Sequence, residues 1–365
     1  MEMSCKRSVS AAVAIMSASL FVIEPAIAQS DRATGGAPTD GQRFFDLVPF
    51  EEHGFGTILK WMFKRETGVW QDRTSVPPGP APVTSVGQGE LRVTLIGHAS
   101  VLVQMDGINI LTDPVFSDRI GPFSWLGPRR MRAPGLRFED LPPIDVVIVS
   151  HNHYDHMDMP TLVRLNATHH PRFFVGLKNA PLLKNAGIDN VTELDWWQSS
   201  GVSETVKVIG VPAQHWSKRG WGDDFTMLWL GYVLMSPSGY VYFAGDTGWG
   251  PHIEMIADRF GPPRVALLPI GAFRPRWIMQ RAHMSPPEAV DAAIVLRARA
   301  TIPMHYGTFR LGDDGQDEPL NVLQHYLQEI AEPKPRFVLL DFGTGFVAPA
   351  FTGTSTVLRE EQASP

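Results

Sequence analysis

Three histidines and a carboxylate fall within the six residues His151-Asn152-His153-Tyr154-Asp155-His156. They stand directly behind the apolar run Asp145-Val146-Val147-Ile148-Val149. Such a run reads as a buried strand, so the polar cluster sits where a strand ends and a loop begins. Residues two apart in an extended segment point to the same side, so His151 and His153 can address one ion together. Asp155 and His156, beyond the turn, can face a second ion. Neutral imidazole and carboxylate are the donor set of zinc-type sites. The fold of this chain must therefore present a strand end as an open edge and bring further donors to it.

Three later positions offer those donors. His215 follows a predicted strand at 206–211, Asp246 follows one at 240–244, and His305 follows the short apolar run at 300–303. A lone His or Asp at such a place is more often a hydrogen-bonded structural residue. Four strand-to-loop junctions in this order, each carrying a donor, are far more specific.

The rest of the chain frames that site. With 365 residues, 44% hydrophobic and 19% charged, it can bury a large core. A net charge of −6 argues against a nucleic-acid-binding surface. Residues 1–28 read as an export signal: Lys6 and Arg7, then a mostly apolar stretch, then Ala26-Ile27-Ala28 as a small-residue cleavage site. The single cysteine, Cys5, lies inside it, so the mature chain has neither a disulfide framework nor a thiolate ligand. Residues 29–88 are expected to form a flexible leader, to 43, and an N-terminal arm. Within the arm, 53–65 predicts an amphipathic helix, packed on the core in preference to a membrane surface. Residues 89–350 are expected to form the catalytic domain and 351–365 a tail.

Strands are predicted at 91–96, 100–105, 108–112, 145–149, 173–175, 206–211, 228–235, 240–244, 265–269 and 336–340, with Asp106-Gly107 as a hairpin turn. Helices are predicted at 159–166, 180–186, 252–259, 286–299 and 319–330, and Ser285-Pro286-Pro287-Glu288 has the form of a capping box. Strands interleaved with helices imply an α/β domain of sheets covered by helices.

The H-x-H-x-D-H motif followed by His215, Asp246 and His305 resembles that of the metallo-β-lactamase-fold hydrolases. The resemblance narrows to the N-acylphosphatidylethanolamine-hydrolysing phospholipase D branch. It does so through Ile96-Gly97-His98-Ala99-Ser100, Leu111-Thr112-Asp113-Pro114, Glu193-Leu194-Asp195-Trp196-Trp197, Gln214-His215-Trp216-Ser217-Lys218-Arg219 and His305-Tyr306-Gly307-Thr308-Phe309. It implies an αββα sandwich of two mixed sheets flanked by helices. It also implies a two-zinc site, with His151, His153 and His215 on one ion, Asp155, His156 and His305 on the other, and Asp246 bridging. Manganese or iron would suit the same donors.

The expected reaction is hydrolysis of a phospholipid phosphodiester, with Asp155, Asp246 and His283 in catalytic roles and Lys218, Arg219 and Trp216 at the substrate. His98 is expected to support a metal ligand or the local structure without holding the ion itself. Lactonase or other carbonyl-directed hydrolysis, and a non-catalytic metal- or lipid-binding envelope protein, are the rival expectations. The signal implies a periplasmic protein touching a membrane surface peripherally, and the branch resemblance implies a homodimer.

Overall fold

The structure, a computed structural model, describes residues 35–49 and 55–350. The expected export signal at 1–28 and the tail at 351–365 lie outside the described residues, as does the start of the 53–65 helix.

The chain runs through α1 (Phe55–Phe63), β1 (Leu91–Gly97), β2 (Ser100–Met105), β3 (Ile108–Thr112), β4 (Val146–Val149), α2 (Met159–His169), β5 (Arg172–Gly176), α3 (Ala180–Asn185), β6 (Val191–Leu194) and β7 (Ser199–Gly201). It continues through β8 (Lys207–Val211), β9 (Gly231–Ser236), β10 (Gly239–Phe243), α4 (His252–Phe260), β11 (Val265–Pro269), α5 (Arg276–Met279), α6 (Pro286–Val295), β12 (Thr301–Met304), α7 (Glu318–Glu329) and β13 (Gly345–Val347). One sheet has seven strands in the order β13-β1-β2-β3-β4-β5-β6, and the other has six in the order β12-β11-β10-β9-β8-β7. Both are mixed. In the first, β3 to β6 are parallel; in the second, β10, β11 and β12 are.

The apolar run before the histidines shows why the layers form. Successive strand side chains point to opposite faces. Val146 and Ile148, with Phe174 of β5, join the cluster shared with the second sheet. Val147 and Val149, with Phe173 and Val175, face Leu162 and Leu165 of α2 and Leu183 of α3. A strand apolar on both faces can only lie between two layers. On the far side, α4 and α6 bury Ile253, Ile256, Ala289 and Val290 in the same cluster as the second sheet. The result is the expected αββα sandwich. The capping box closes the start of α6: the Ser285 hydroxyl accepts from the Glu288 N–H and the Glu288 carboxylate accepts from the Ser285 N–H.

Two expectations are corrected. The described part of the expected flexible leader, 35–43, is docked on the core: Ala37 is buried and its N–H reaches Asp195 at 2.9 Å. It continues into the start of the arm as one strap, 35–49, where Phe44 is buried and donates its N–H to the Phe225 carbonyl at 2.8 Å. Buried contacts of this kind outweigh a polar composition. At 336–340 there is no strand: the Thr301 N–H bonds the Arg336 carbonyl and the Val338 N–H the Thr301 carbonyl, bracketing a single bridge at Phe337. The chain is crossing there from the edge of the second sheet to reach β13 on the first, so it pairs for one residue only. In the arm, the Trp61 indole N–H and the Arg65 guanidinium both donate to Asp313 at 2.7 Å. Among the described residues, no helix is long and apolar enough to cross a membrane.

His252 opens α4 fully inside the protein, its Nε2 3.0 Å from the Thr247 hydroxyl. Burial disfavours its charged form and takes its pKa down to about 3. The unfolded chain takes up that proton below about pH 6.5, so stability present above this pH is lost as pH falls towards 3. Near pH 4.5 the expected loss from this residue is about 2–3 kcal/mol. Urea unfolding of metal-stripped wild type and His252→Gln at pH 7 and 4.5 reads it: the stability gap between them should shift by that amount in favour of the variant. A gap that does not move would show the ring has an acid-tolerant environment.

Candidate metal centre

The end of β4 delivers the first donors. His151 follows directly, and a tight turn, in which the N–H groups of His156 and Met157 both bond the His153 carbonyl, folds the next three residues back. His215 comes from the loop after β8, Asp246 from the end of β10 and His305 from the end of β12. These strand ends meet at one edge of the sandwich. Two glycines permit the close approach. Gly245 has φ +61°, and a Cβ there would lie 2.6 Å from the Ser150 Cβ; a Cβ at Gly271 would lie 2.0 Å from the His305 carbonyl oxygen.

The donors gather in two groups joined by one carboxylate. The Nε2 atoms of His151 and His215 lie 2.8 and 3.3 Å from the His153 Nδ1. Asp155, His156 and His305 form the second group with His98 beside them. Asp246 Oδ2 is 3.1 Å from His156 Nε2, 3.0 Å from His305 Nε2 and 3.9 Å from His215 Nε2.

The chemistry of these atoms fits a cation. His156 Nε2, His305 Nε2 and Asp246 Oδ1 are buried without a hydrogen-bond partner. Unpaired polar atoms this deep are costly unless something positive lies among them. Burial by itself would keep His156 and His305 neutral. The carboxylates of Asp246 and Asp155 outweigh it, holding His156 well above its ordinary value and His305 at about 9. Asp155 and Asp246 are held well below the usual carboxylate range: burial opposes this, and the facing imidazoles overcome it. The pocket is thus set to exchange protons for a cation.

Behind the donors stand residues that orient them. Asp113 is fully buried and its Oδ2 accepts from both the Ser150 hydroxyl and the His156 Nδ1 at 2.6 Å, while its Oδ1 accepts from the Ser150 N–H at 2.7 Å. The Ser150 hydroxyl lies 2.9 Å from the His151 Nδ1. Asp46, on the strap, accepts from the His215 N–H at 3.1 Å and the Trp229 indole at 3.0 Å, and burial raises its carboxyl well above the usual range. Neither Asp113 nor Asp46 was singled out from the sequence as a site residue. Asp113 carried a signal, since it also ends a strand; Asp46 carried none.

The other expected site residues divide. His283 Nδ1 is 3.7 Å from Asp246 Oδ2, and burial takes its pKa down to about 4. The Trp216 ring lies edge-on to His153, 5.1 Å between centroids. Lys218 is half-exposed and paired with Asp224 at 2.7 Å. Arg219 does not face an open site: its guanidinium donates to the carbonyls of Asn152 and Met157 and lies over Tyr154. It braces the histidine turn from outside, and nothing in its geometry presents it to a substrate phosphate.

Comparison with known proteins agrees with this architecture. Residues 108–306 match the family described as the beta-lactamase superfamily domain. The chain is 38% identical over 265 residues to N-acyl-phosphatidylethanolamine-hydrolyzing phospholipase D 1 of Caenorhabditis elegans, covering 69% of this chain and 74% of that one. It is 30% identical over 305 residues to the mitochondrial N-acyl-phosphatidylethanolamine-hydrolyzing phospholipase D of Saccharomyces cerevisiae, covering 80% and 65%. Among solved structures, a metallo hydrolase from Ignicoccus hospitalis superposes with a TM-score of 0.54 at 22% identity, over 71% of this chain and 99% of that one. With two mixed sheets, donors at their shared edge and these relatives, the chain belongs to the metallo-β-lactamase-fold superfamily of metal-dependent hydrolases, where it resembles the N-acylphosphatidylethanolamine-hydrolysing phospholipase D branch.

Proposed function

We propose that this metal-dependent hydrolase cleaves a phosphodiester, that of an N-acylphosphatidylethanolamine or related phospholipid, releasing phosphatidic acid, with two zinc ions in the cluster. The observation that carries this reading is the pair of donor groups sharing Asp246, with His151, His153 and His215 on one side and Asp155, His156 and His305 on the other. Zinc held by these residues would lower the pKa of a bound water to about 7 and neutralise charge on phosphoryl oxygens. Asp246 faces both groups and holds them at a fixed spacing. Asp155, the most open of the donors in the second group with its side chain 13% exposed, is the carboxylate to which we assign orientation of an attacking water. His283 is neutral at physiological pH, so it offers a hydrogen bond to a phosphoryl oxygen and is not a proton store. Export to the periplasm, peripheral contact with a membrane and a homodimer belong to the same proposal.

The two named phospholipases support phospholipid as the substrate class. The test is to incubate the protein, chelator-stripped or zinc-loaded, with vesicles of N-acylphosphatidylethanolamine or phosphatidylcholine, with a lactone and with a β-lactam. Phosphatidic acid should appear only with the loaded protein. Lactone turnover without phosphodiester cleavage would replace this reading with the carbonyl-directed one.

A further inference from the structure

We propose that His98 is the positioning residue that holds Asp155 in place for the second cation, an inference that rests on the metal reading above. His98 stands at the turn between β1 and β2, where the register slips between Leu95 and Gly97. Such bulges re-aim a side chain. Its backbone is left-handed, φ +56°, a conformation that few non-glycine residues adopt. That conformation is fixed from the loop carrying the last donor. The His98 N–H donates to the Thr308 hydroxyl at 3.0 Å, and the His98 carbonyl accepts from the His305 N–H at 2.8 Å.

The side chain is equally constrained. It is 2% exposed, with its ring centroid 4.1 Å from that of His305 and 5.3 Å from those of His156 and Phe309. From this seat Nε2 lies 3.1 Å from Asp155 Oδ2. A carboxylate oxygen has two lone pairs, so Oδ2 can accept from His98 and still face an ion. Asp155 needs the support more than its neighbours. Its side chain is 13% exposed, against 0% for His156 and His305 and 2% for Asp246. A carboxylate at the open rim can turn towards water, and a hydrogen bond from a buried, wedged ring prevents it.

The ring acts as a hydrogen-bond donor to that carboxylate. Its Nδ1 is buried without a hydrogen-bond partner, which suits the tautomer carrying the proton on Nε2. Partners of this kind typically set metal affinity by about 10–100-fold.

Two variants separate the hydrogen bond from packing. His98→Leu fills the seat without an N–H; His98→Gln can place an amide N–H near the position of Nε2. Both carry the same left-handed backbone burden. The chelator-stripped full chain is titrated with zinc against a chromophoric competitor, and with cobalt while its visible spectrum is recorded. The wild type should take two ions. His98→Leu should bind the second about 10–100-fold more weakly and lose that ion's cobalt band, with the first within about twofold. His98→Gln should recover the second to within about fivefold of wild type.

A His98→Leu protein that binds the second ion like wild type overturns the inference, as does equal loss in both folded variants. If His98→Leu does not fold, a tenfold or greater loss in His98→Gln overturns it alone. A wild type that takes up one ion or none overturns the two-metal reading and this inference with it. Normal metal binding without phospholipid turnover strikes the substrate reading only.

Discussion

Asp246→Asn is expected to lower the proposed phosphodiester turnover by at least about a thousand-fold, close to 4 kcal/mol of lost transition-state stabilisation. The substitution keeps size and shape and removes one negative charge. That charge faces three imidazoles, with Oδ2 3.0 Å from His305, 3.1 Å from His156 and 3.9 Å from His215. An amide cannot supply a charged oxygen to both donor groups. Its NH2 would also point a donor hydrogen into a place where His156 Nε2 and His305 Nε2 already lack partners. Asp246 makes no contribution to the core comparable with the strand beside it, so the variant should retain its circular dichroism spectrum. The measurement is kcat at saturating zinc together with bound metal per chain. Turnover within about tenfold of wild type would remove Asp246 from the shared position.

The donors were legible in the sequence because each follows a strand, and buried strands announce themselves. Val146 to Val149 is uninterrupted by polar residues, since helices cover one face of β4 and a second sheet covers the other. A polar residue just past such a run can only be at the sandwich edge. That logic locates His151, His215, Asp246 and His305 without coordinates. It cannot locate partners whose role depends on which strands lie side by side. Asp113 supports His151 and His156 because β3 pairs in parallel with β4, a register that no local pattern encodes. Asp46 supports His215 from 169 residues away in sequence, at the start of the N-terminal arm, where no local pattern marks the pairing. Arg219 misled for the opposite reason: a cation beside a ligand looks like a phosphate contact, yet two carbonyls of the histidine turn lie closer. Backbone carbonyls leave no trace in a sequence.

Asp113→Asn weakens metal binding by about 10–100-fold and lowers stability by about 3 kcal/mol, although the residue touches no proposed substrate. Its backbone has φ +32°, which asparagine tolerates, so the loss comes from the side chain. Both oxygens of the carboxylate accept: Oδ1 from the Ser150 N–H, Oδ2 from the Ser150 hydroxyl and the His156 Nδ1. An amide offers one oxygen. If its NH2 takes the Oδ1 position, it meets the Ser150 N–H, a donor that cannot turn into an acceptor. If it takes the Oδ2 position, His156 must accept at Nδ1 and carry its proton on Nε2. That atom faces Asp246 and Asp155 in the donor cluster, and a proton there excludes a metal. Either orientation leaves a buried conflict at a site with no solvent exposure to relieve it. Zinc titration and urea unfolding of the stripped and loaded forms measure both effects. The variant should lose more stability in the loaded form than in the stripped one, because the loaded form needs His156 Nε2 free of a proton, whereas the stripped form can keep one there. Equal losses in the two forms would make Asp113 a packing residue and leave the orientation of His156 to the turn alone.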